Sequence, residues 1–417
     1  MKVYLIGIGM GDNKTLTAEA AEAMKKADVF IGAERMLDAV KLYGKPKYKA
    51  YKPDEIEQYL SESGADTAAV LLSGDISFCS GAKGLEEKLE GYDIVRIPGI
   101  SSYSYMCGKL GIDTADTAIL SLHGSRQVYF NKKSVCNIVR DSKYTFVLLN
   151  EPKDINDLIT QLGSYRLGDC IIHIGSRMGY EDEMFCKTGV SYMFDAEQEE
   201  IKAPVSVIIE NPSPKNLQGK HIRDDEFTRD NIPMTKEDIR ALCIARLALE
   251  HDSILYDIGA GTGSIAVEAS LVSHDIRVYA VEKKSEGYVL INQNRCKFSC
   301  DNVFLINGEA PEAIEYLPAP THVFIGGSGG RLKEIIECVM KKNPFVRIVI
   351  NTIALNSAAE VMRVIEELDL DSEIISVNTA KAKKMGGYDM MMGQNPVYIF
   401  TLSKKPEPET ENEENED

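Results

Sequence analysis

The sequence predicts an α/β protein made of two successive halves, each with strands alternating with helices. Three observations carry this expectation. A strand-like run, Val3-Tyr4-Leu5-Ile6, opens into Gly7-Ile8-Gly9-Met10-Gly11-Asp12. A second run, Ile254-Leu255-Tyr256, opens into Asp257-Ile258-Gly259-Ala260-Gly261-Thr262-Gly263, so both turns have G-x-G-x-G spacing and both precede a helical pattern. The chain has 417 residues and 44% hydrophobic content, which suits two or three domains with real cores.

The second turn points to a nucleotide-like ligand. Glycines let a ligand approach the backbone, and the helix starting at Ser264 offers free N–H groups. The dinucleotide fingerprint is G-x-G-x-x-G. Here the spacing differs, and Asp257 stands two residues before the first glycine. An acid there is poorly placed beside a pyrophosphate and suits a cationic or zwitterionic ligand. S-adenosylmethionine fits: it has no phosphate, but a sulfonium, an ammonium and ribose hydroxyls. The next strand, Arg277 to Val281, ends at Glu282, about 20 residues past the turn and placed to accept both ribose hydroxyls. Glu282 alone would serve NAD equally well; the glycine spacing with Asp257 separates the two. The plain alternative is a turn without a ligand.

Composition narrows the partners. Net charge is −17, with seven acids in residues 406–417, which argues against nucleic acid. No apolar run reaches the length of about 18 residues that suggests a membrane span. The start runs straight into a strand without a signal-peptide layout, so a cytoplasmic protein is expected. Nine cysteines form no C-x-x-C pair; Cys296 and Cys300 have helix-face spacing but no matching pair elsewhere. They read as structural thiols of a reducing compartment, and no metal site is expected.

In the first half a helix is expected from about Thr15, which fits its start better than Thr17. Strands follow at Asp28–Gly32, Ala68–Leu72 and Tyr92–Ile97, the last two ending in Ser73-Gly74-Asp75 and Pro98-Gly99-Ile100-Ser101-Ser102. A helix follows to Leu110. Further strands are expected at Ala118–Leu122, Thr145–Leu149, Cys170–Ile174 and Val205–Glu210, with His123-Gly124 closing the first. Strand ends rich in Gly, Ser and Asp converge on one cleft in an open α/β sheet.

Gly7 to Asp12, Leu72 to Asp75, Pro98 to Ser102, His123-Gly124 and Ala203-Pro204-Val205 resemble, in that order, the tetrapyrrole methylases, and within them the C5-methylating branch of corrin-ring synthesis. The resemblance covers residues 1–210. It implies a tetrapyrrole methylase fold of two lobes, about 1–112 and 113–210, with S-adenosylmethionine between them. It assigns Ile8, Gly9, Gly74, Asp75, Phe78, Ser101, Ser102, Ala203 and Pro204 to the cofactor. Many relatives have Pro where Met10 stands. Asp12 and His123, at strand ends, are catalytic candidates for taking up the proton lost after methylation; holding their loops is the plainer role.

Residues 211–230 read as a polar linker. Thr235, with Asp238 three residues on, resembles a capping box. Strands at 302–307 and 321–325 end in Gly308-Glu309-Ala310-Pro311 and Gly326-Gly327-Ser328-Gly329-Gly330, and a fifth strand is expected at 347–352. A final antiparallel pair lies near 373–378 and 397–402. This alternation is a Rossmann-like, doubly wound domain. Pro233 to Lys236, the Asp257 turn, Gly308 to Ala313 and Phe324 to Gly330 resemble the class I methyltransferases, and among them the C15-methylating, decarboxylating enzymes of the same pathway, over residues 231–403. Residues 404–417 read as a disordered acidic tail.

Both halves in this order resemble the fused, bifunctional methyltransferases of cobalamin synthesis. That implies two S-adenosylmethionine sites per chain, a corrinoid tetrapyrrole substrate, methylation at C15 with loss of CO2 from the C12 acetate, then methylation at C5, and self-association. It assigns Thr235, Asp257, Gly259, Ala260, Gly261, Thr262, Gly263, Glu282, Glu309 and Ala310 to the second cofactor site. A polycarboxylate substrate calls for local cations: Lys236, Arg240, Arg331, Lys381, Lys383 and Lys384 in this half, Arg126, Lys132 and Lys133 in the first. Gly327 and Gly329 offer a close approach for a flat ring. An inactive S-adenosylmethionine-binding scaffold and an RNA methyltransferase are the competing readings.

Overall fold

A computed structural model describes residues 1–122, 134–192, 194 and 200–405. They fall into two compact units: one takes the described residues of 1–125, 142–161 and 168–214, the other those of 126–141, 162–167 and 215–417. His123, Arg126, Lys132, Lys133 and the acidic stretch from Pro406 lie outside the described residues.

The first unit holds two five-stranded sheets. Strands β1 (Lys2–Gly7), β2 (Val29–Gly32), β3 (Lys47–Lys49), β4 (Thr67–Leu72) and β5 (Asp93–Ile97) are all parallel, in the order β3-β2-β4-β1-β5. Tyr4 and Ile6 join one core while Val3 and Leu5 join another, because a parallel sheet is covered on both faces. Lys-rich β3 escapes a hydrophobicity pattern because it is an exposed edge. The second sheet contains β6 (Thr117–Ser121), β7 (Tyr144–Leu148), β8 (Ile171–Ser176), β9 (Met184–Gly189) and β10 (Val205–Glu210), in the order β6-β7-β10-β8-β9. Only β6 and β7 run parallel in it.

The second unit holds β11 (Ile254–Ile258), β12 (Arg277–Glu282), β13 (Val303–Asn307), β14 (His322–Ile325), β15 (Arg347–Thr352), β16 (Leu370–Val377), β17 (Ala380–Met385), β18 (Tyr388–Gly393) and β19 (Val397–Lys404). Seven of them form one sheet, β13-β12-β11-β14-β15-β19-β16. The first five are parallel; β19 runs antiparallel to both neighbours, so the expected final pair is β16 with β19. β17 and β18 form a separate hairpin. Chain order reverses at β11, between β12 and β14, which opens a crevice at the carboxyl ends of these strands.

Several local expectations are corrected. Thr17, not Thr15, caps the first helix (Ala18–Lys26), its hydroxyl accepting the Ala20 N–H at 3.2 Å. Thr235 caps nothing: the helix Glu237–Leu247 starts after Lys236 without a side-chain cap. Cys300 lies beyond the helix Ser285–Lys297, so it shares no helix face with Cys296. Within residues 211–230, Ile222 and Phe227 are buried in the core of the second unit. Their spacing matches neither helix nor strand, which is why the pattern reads as polar. Residues from the first half also join this unit: Asp301 accepts the N–H groups of Val135 (2.8 Å) and Cys136 (2.9 Å) at the start of the helix Val135–Asp141. Among the described residues no helix is long and apolar enough to cross a membrane.

Candidate active site

The Asp257 turn shows why glycine is needed where it stands. Gly259, Gly261 and Gly263 all have positive φ, at 71°, 56° and 75°. A Cβ on Gly259 would sit 2.8 Å from the Gly327 carbonyl oxygen, so only glycine lets the β11 turn pack against the loop after β14. The helix Ser264–Ser270 starts immediately, with Gly263 at its N-cap and no side chain capping it.

Asp257 is buried at the end of β11. One carboxylate oxygen accepts the Ala266 N–H at 3.0 Å; the other, Oδ1, has no partner. Burial pushes this carboxyl up to about 7. Glu282, ending β12, accepts the N–H of Gly261 and of Lys284, both at 2.9 Å. Glu309, just past β13, pairs with Lys283 at 2.7 Å. These three acids end three adjacent strands.

They share a cavity of about 1090 Å³. Of the residues expected there, Thr235, Lys236, Asp257, Gly259, Ala260, Gly261, Thr262, Glu282, Glu309, Ala310, Gly327 and Gly329 line it. Gly263 lies behind the lining, where a Cβ would press on Ile291 at 3.0 Å. Among the described residues five buried side-chain polar atoms lack a partner, and three, Asp257 Oδ1, Thr262 Oγ1 and Thr352 Oγ1, belong to residues lining this cavity. Orphaned polar atoms are costly, so three of them on residues around one cavity point to a ligand that completes them. Thr352 and its neighbour Asn351 were not singled out from the sequence. They end the fifth parallel strand, and the strand-end rule was the signal available.

Three of the six expected cations in this unit are engaged by acids. Arg240 is wholly buried and bonds Glu268 (2.8 Å), Asp224 (3.0 Å) and the Thr235 carbonyl (2.7 Å); it is a structural hub, not a substrate contact. Arg331 is absent from the cavity lining and is held by both oxygens of Glu312 at 2.7 Å. Lys381 pairs with Glu237 at 2.7 Å, and Lys383 and Lys384 are exposed on β17. Lys236 remains in the lining.

In the first unit, Gly9 and Gly74 exchange backbone hydrogen bonds of 3.1 and 2.9 Å, which joins the β1 turn to the end of β4; Ile8 is buried beside it. Asp75 is nearly buried; burial pushes its carboxyl up, yet hydrogen bonds from Ser77 and the Gly99 N–H (2.8 Å) hold it below the usual range. Ser101 caps the helix Ser102–Leu110, accepting the Ser104 N–H at 3.1 Å. Phe78 stacks on Tyr103 with ring centroids 5.8 Å apart. The Ala203-Pro204 bond is cis, and the Pro204 carbonyl accepts the Arg177 N–H at 2.8 Å. Asp12 accepts both the N–H and the hydroxyl of Thr15, at 2.9 and 2.6 Å.

A parallel sheet with an antiparallel last strand, and an acid-led glycine turn over its switch point, define the class: a Rossmann-like, S-adenosylmethionine-dependent methyltransferase. Residues 225–404 match the precorrin methyltransferase domain and residues 2–191 the tetrapyrrole (corrin/porphyrin) methylases, and the chain belongs to the precorrin methyltransferase family. A probable cobalt-precorrin-6B C(15)-methyltransferase (decarboxylating) of Pyrobaculum calidifontis is 37% identical over 183 residues, 43% of this chain and 94% of that protein. Its namesake from Sulfolobus acidocaldarius is 39% identical over 44% of this chain and 97% of that one. A solved structure titled precorrin-6y C5,15-methyltransferase, from Geobacter metallireducens, is 38% identical over 45% of this chain and 97% of that chain, with a TM-score of 0.43.

Proposed function

We propose that this chain is a bifunctional methyltransferase of corrin-ring synthesis. Its second unit methylates a precorrin at C15 with loss of CO2 from the C12 acetate, and its first unit then methylates C5. The observation that carries the reading is the unpartnered, buried Asp257 Oδ1 at a glycine turn, an acceptor suited to a cationic ligand. The family relatives supply the substrate class.

S-adenosylmethionine, when bound, supplies a methyl group activated by its sulfonium. Asp257 would hold its ammonium end, Glu282 the ribose hydroxyls and Glu309 the adenine edge. Thr235 and Thr262 close the wall around them. The cavity would hold the reacting carbon near the methyl, and proximity lowers much of the barrier. Lys236 offers a cation to a substrate carboxylate. Nothing crowds the position of a Cβ on Gly327, which leaves room for a flat ring.

We further propose two cofactor sites per chain, a cytoplasmic location supported by nine free cysteines, no nucleic-acid partner, and self-association through the β17–β18 hairpin. That hairpin exposes Met385, Tyr388, Met390, Met391 and Met392, an apolar patch of the kind that marks an interface. Light scattering would read a smaller particle for Met390→Lys/Met392→Lys if the hairpin joins copies; an unchanged mass removes it from the interface.

The main test is calorimetric titration of S-adenosylhomocysteine into the full chain. Two sites, one lost in Gly261→Arg, are expected. One site in the native chain would leave one half without a cofactor of its own. No binding would overturn the enzyme reading.

A further inference from the structure

The first unit contains a cationic cluster that the proposed function leaves unused. Arg35 follows β2 in the short helix Glu34–Ala39. Its guanidinium donates to the Tyr180 hydroxyl at 2.9 Å and to Ser73 Oγ at 2.7 Å. Both partners are neutral. Among the described residues no carboxylate forms an ion pair with Arg35; the adjacent Glu34 is engaged by Lys49 at 2.6 Å. The Arg177 guanidinium stacks over the Tyr180 ring, 4.3 Å from its centroid. Arg177 pairs with Asp182 at 2.6 Å, and Lys202 approaches the same carboxylate at 3.8 Å. Arg177 and Lys202 thus share one acid beside an Arg35 whose partners, Tyr180 and Ser73, are neutral, in a chain whose net charge is −17.

The cluster sits at the end of the sheet where ligands bind. Ser73 precedes Gly74, which is bridged to Gly9. The Tyr180 hydroxyl lies 3.1 Å from where a Cβ would stand on Gly11. Arg35 therefore spans the end of β4 and the first glycine turn, at the carboxyl ends of parallel strands. Two neutral hydroxyls fix the guanidinium plane without neutralising it. Its remaining N–H donors are left for a planar anion, and the fork of an arginine matches a carboxylate.

We infer that Arg35, supported by Arg177 and Lys202, is a carboxylate-binding subsite of the N-terminal centre, taking an acetate or propionate side chain of the macrocycle. This rests on the reading that the first unit methylates a tetrapyrrole. The methionine carboxylate of the cofactor has the same chemistry, and the test separates the two sources.

Arg35→Gln and Arg35→Lys are made in the full chain, with C15 methylation as the internal control for folding. Arg35→Gln is expected to raise the tetrapyrrole KM for C5 methylation about ten- to hundredfold, with C15 turnover and S-adenosylhomocysteine binding unchanged. Arg35→Lys restores part of the loss. Weakened S-adenosylhomocysteine binding at the N-terminal site, with the tetrapyrrole KM unmoved, would assign the subsite to the cofactor carboxylate. If neither changes while the native chain methylates C5, the subsite is overturned. A native chain that methylates C15 and never C5 would instead sink the reading of this unit. The subsite is then judged by absorbance titration with uroporphyrin, a polycarboxylate: equal binding by native chain and Arg35→Gln overturns it, weaker binding by the variant sustains it.

Discussion

The two glycine turns have the same spacing and different chemistry. In the β1 turn the protein satisfies itself: Thr15 Oγ1 accepts the Met10 N–H at 3.0 Å and donates to Asp12, while Gly9 is tied to Gly74. The next helix starts only at Ala18. In the β11 turn the helix starts at once, uncapped, and the acid precedes the glycines with one oxygen unpartnered. Glycine spacing reports where the backbone must turn. The place of the acid decides whether its carboxylate is used up within the turn or keeps an unpartnered oxygen.

The largest expected effect separates the two acids. Asp257→Ala should weaken S-adenosylhomocysteine at the second-unit site about 100-fold, the scale of a charged hydrogen bond, whereas Asp12→Ala leaves that titration unchanged and lowers the stability of the first unit. Equal losses in the two variants would abolish the distinction. Next come the glycines. Gly259→Ala combines a positive φ with a backbone clash at 2.8 Å and should cost about 2–4 kcal/mol in denaturant melts. Gly74→Ala has 3.8 Å of clearance and only its φ of 67° to bear, so about 1–2 kcal/mol is expected.

A pH series sharpens the ligand half of the comparison. The Asp257 carboxyl rises from the unfolded value of about 3.9 to about 7 through burial. Its contribution to stability is therefore present below pH of about 4 and is lost as pH rises through about 7. A cationic ligand favours the charged form. Binding of S-adenosylhomocysteine should tighten as pH rises through 7 and release protons below it, read by calorimetry in buffers of different ionisation heat. Binding insensitive to pH and buffer would detach Asp257 from the ligand. The smallest effect is expected at Thr352: Thr352→Val removes an unpartnered buried hydroxyl and should raise unfolding stability by about 1 kcal/mol, measured without ligand.

By itself the sequence determined the alternation of strands and helices, both glycine turns, the acids Asp257 and Glu282, and the antiparallel pair at the end of the chain. The alternation, the turns and the strand-end acids are local: apolar runs, turn residues and spacing act over a few neighbouring positions. Only the tertiary structure decided the rest. Exposed strands such as β3 and β17 carry no apolar signal, and their pairing partners define them. Arg240 reads in the sequence as a cation for the substrate, and the burial of Ile222, Glu268 and Phe227 around it makes it part of the core. Thr352 and Arg35 gain their meaning from groups far away in sequence: Thr352 from the cavity it shares with Asp257, Arg35 from Tyr180 and Ser73. Burial and the absence of a partner are properties of three-dimensional neighbours, and no spacing along a chain encodes them.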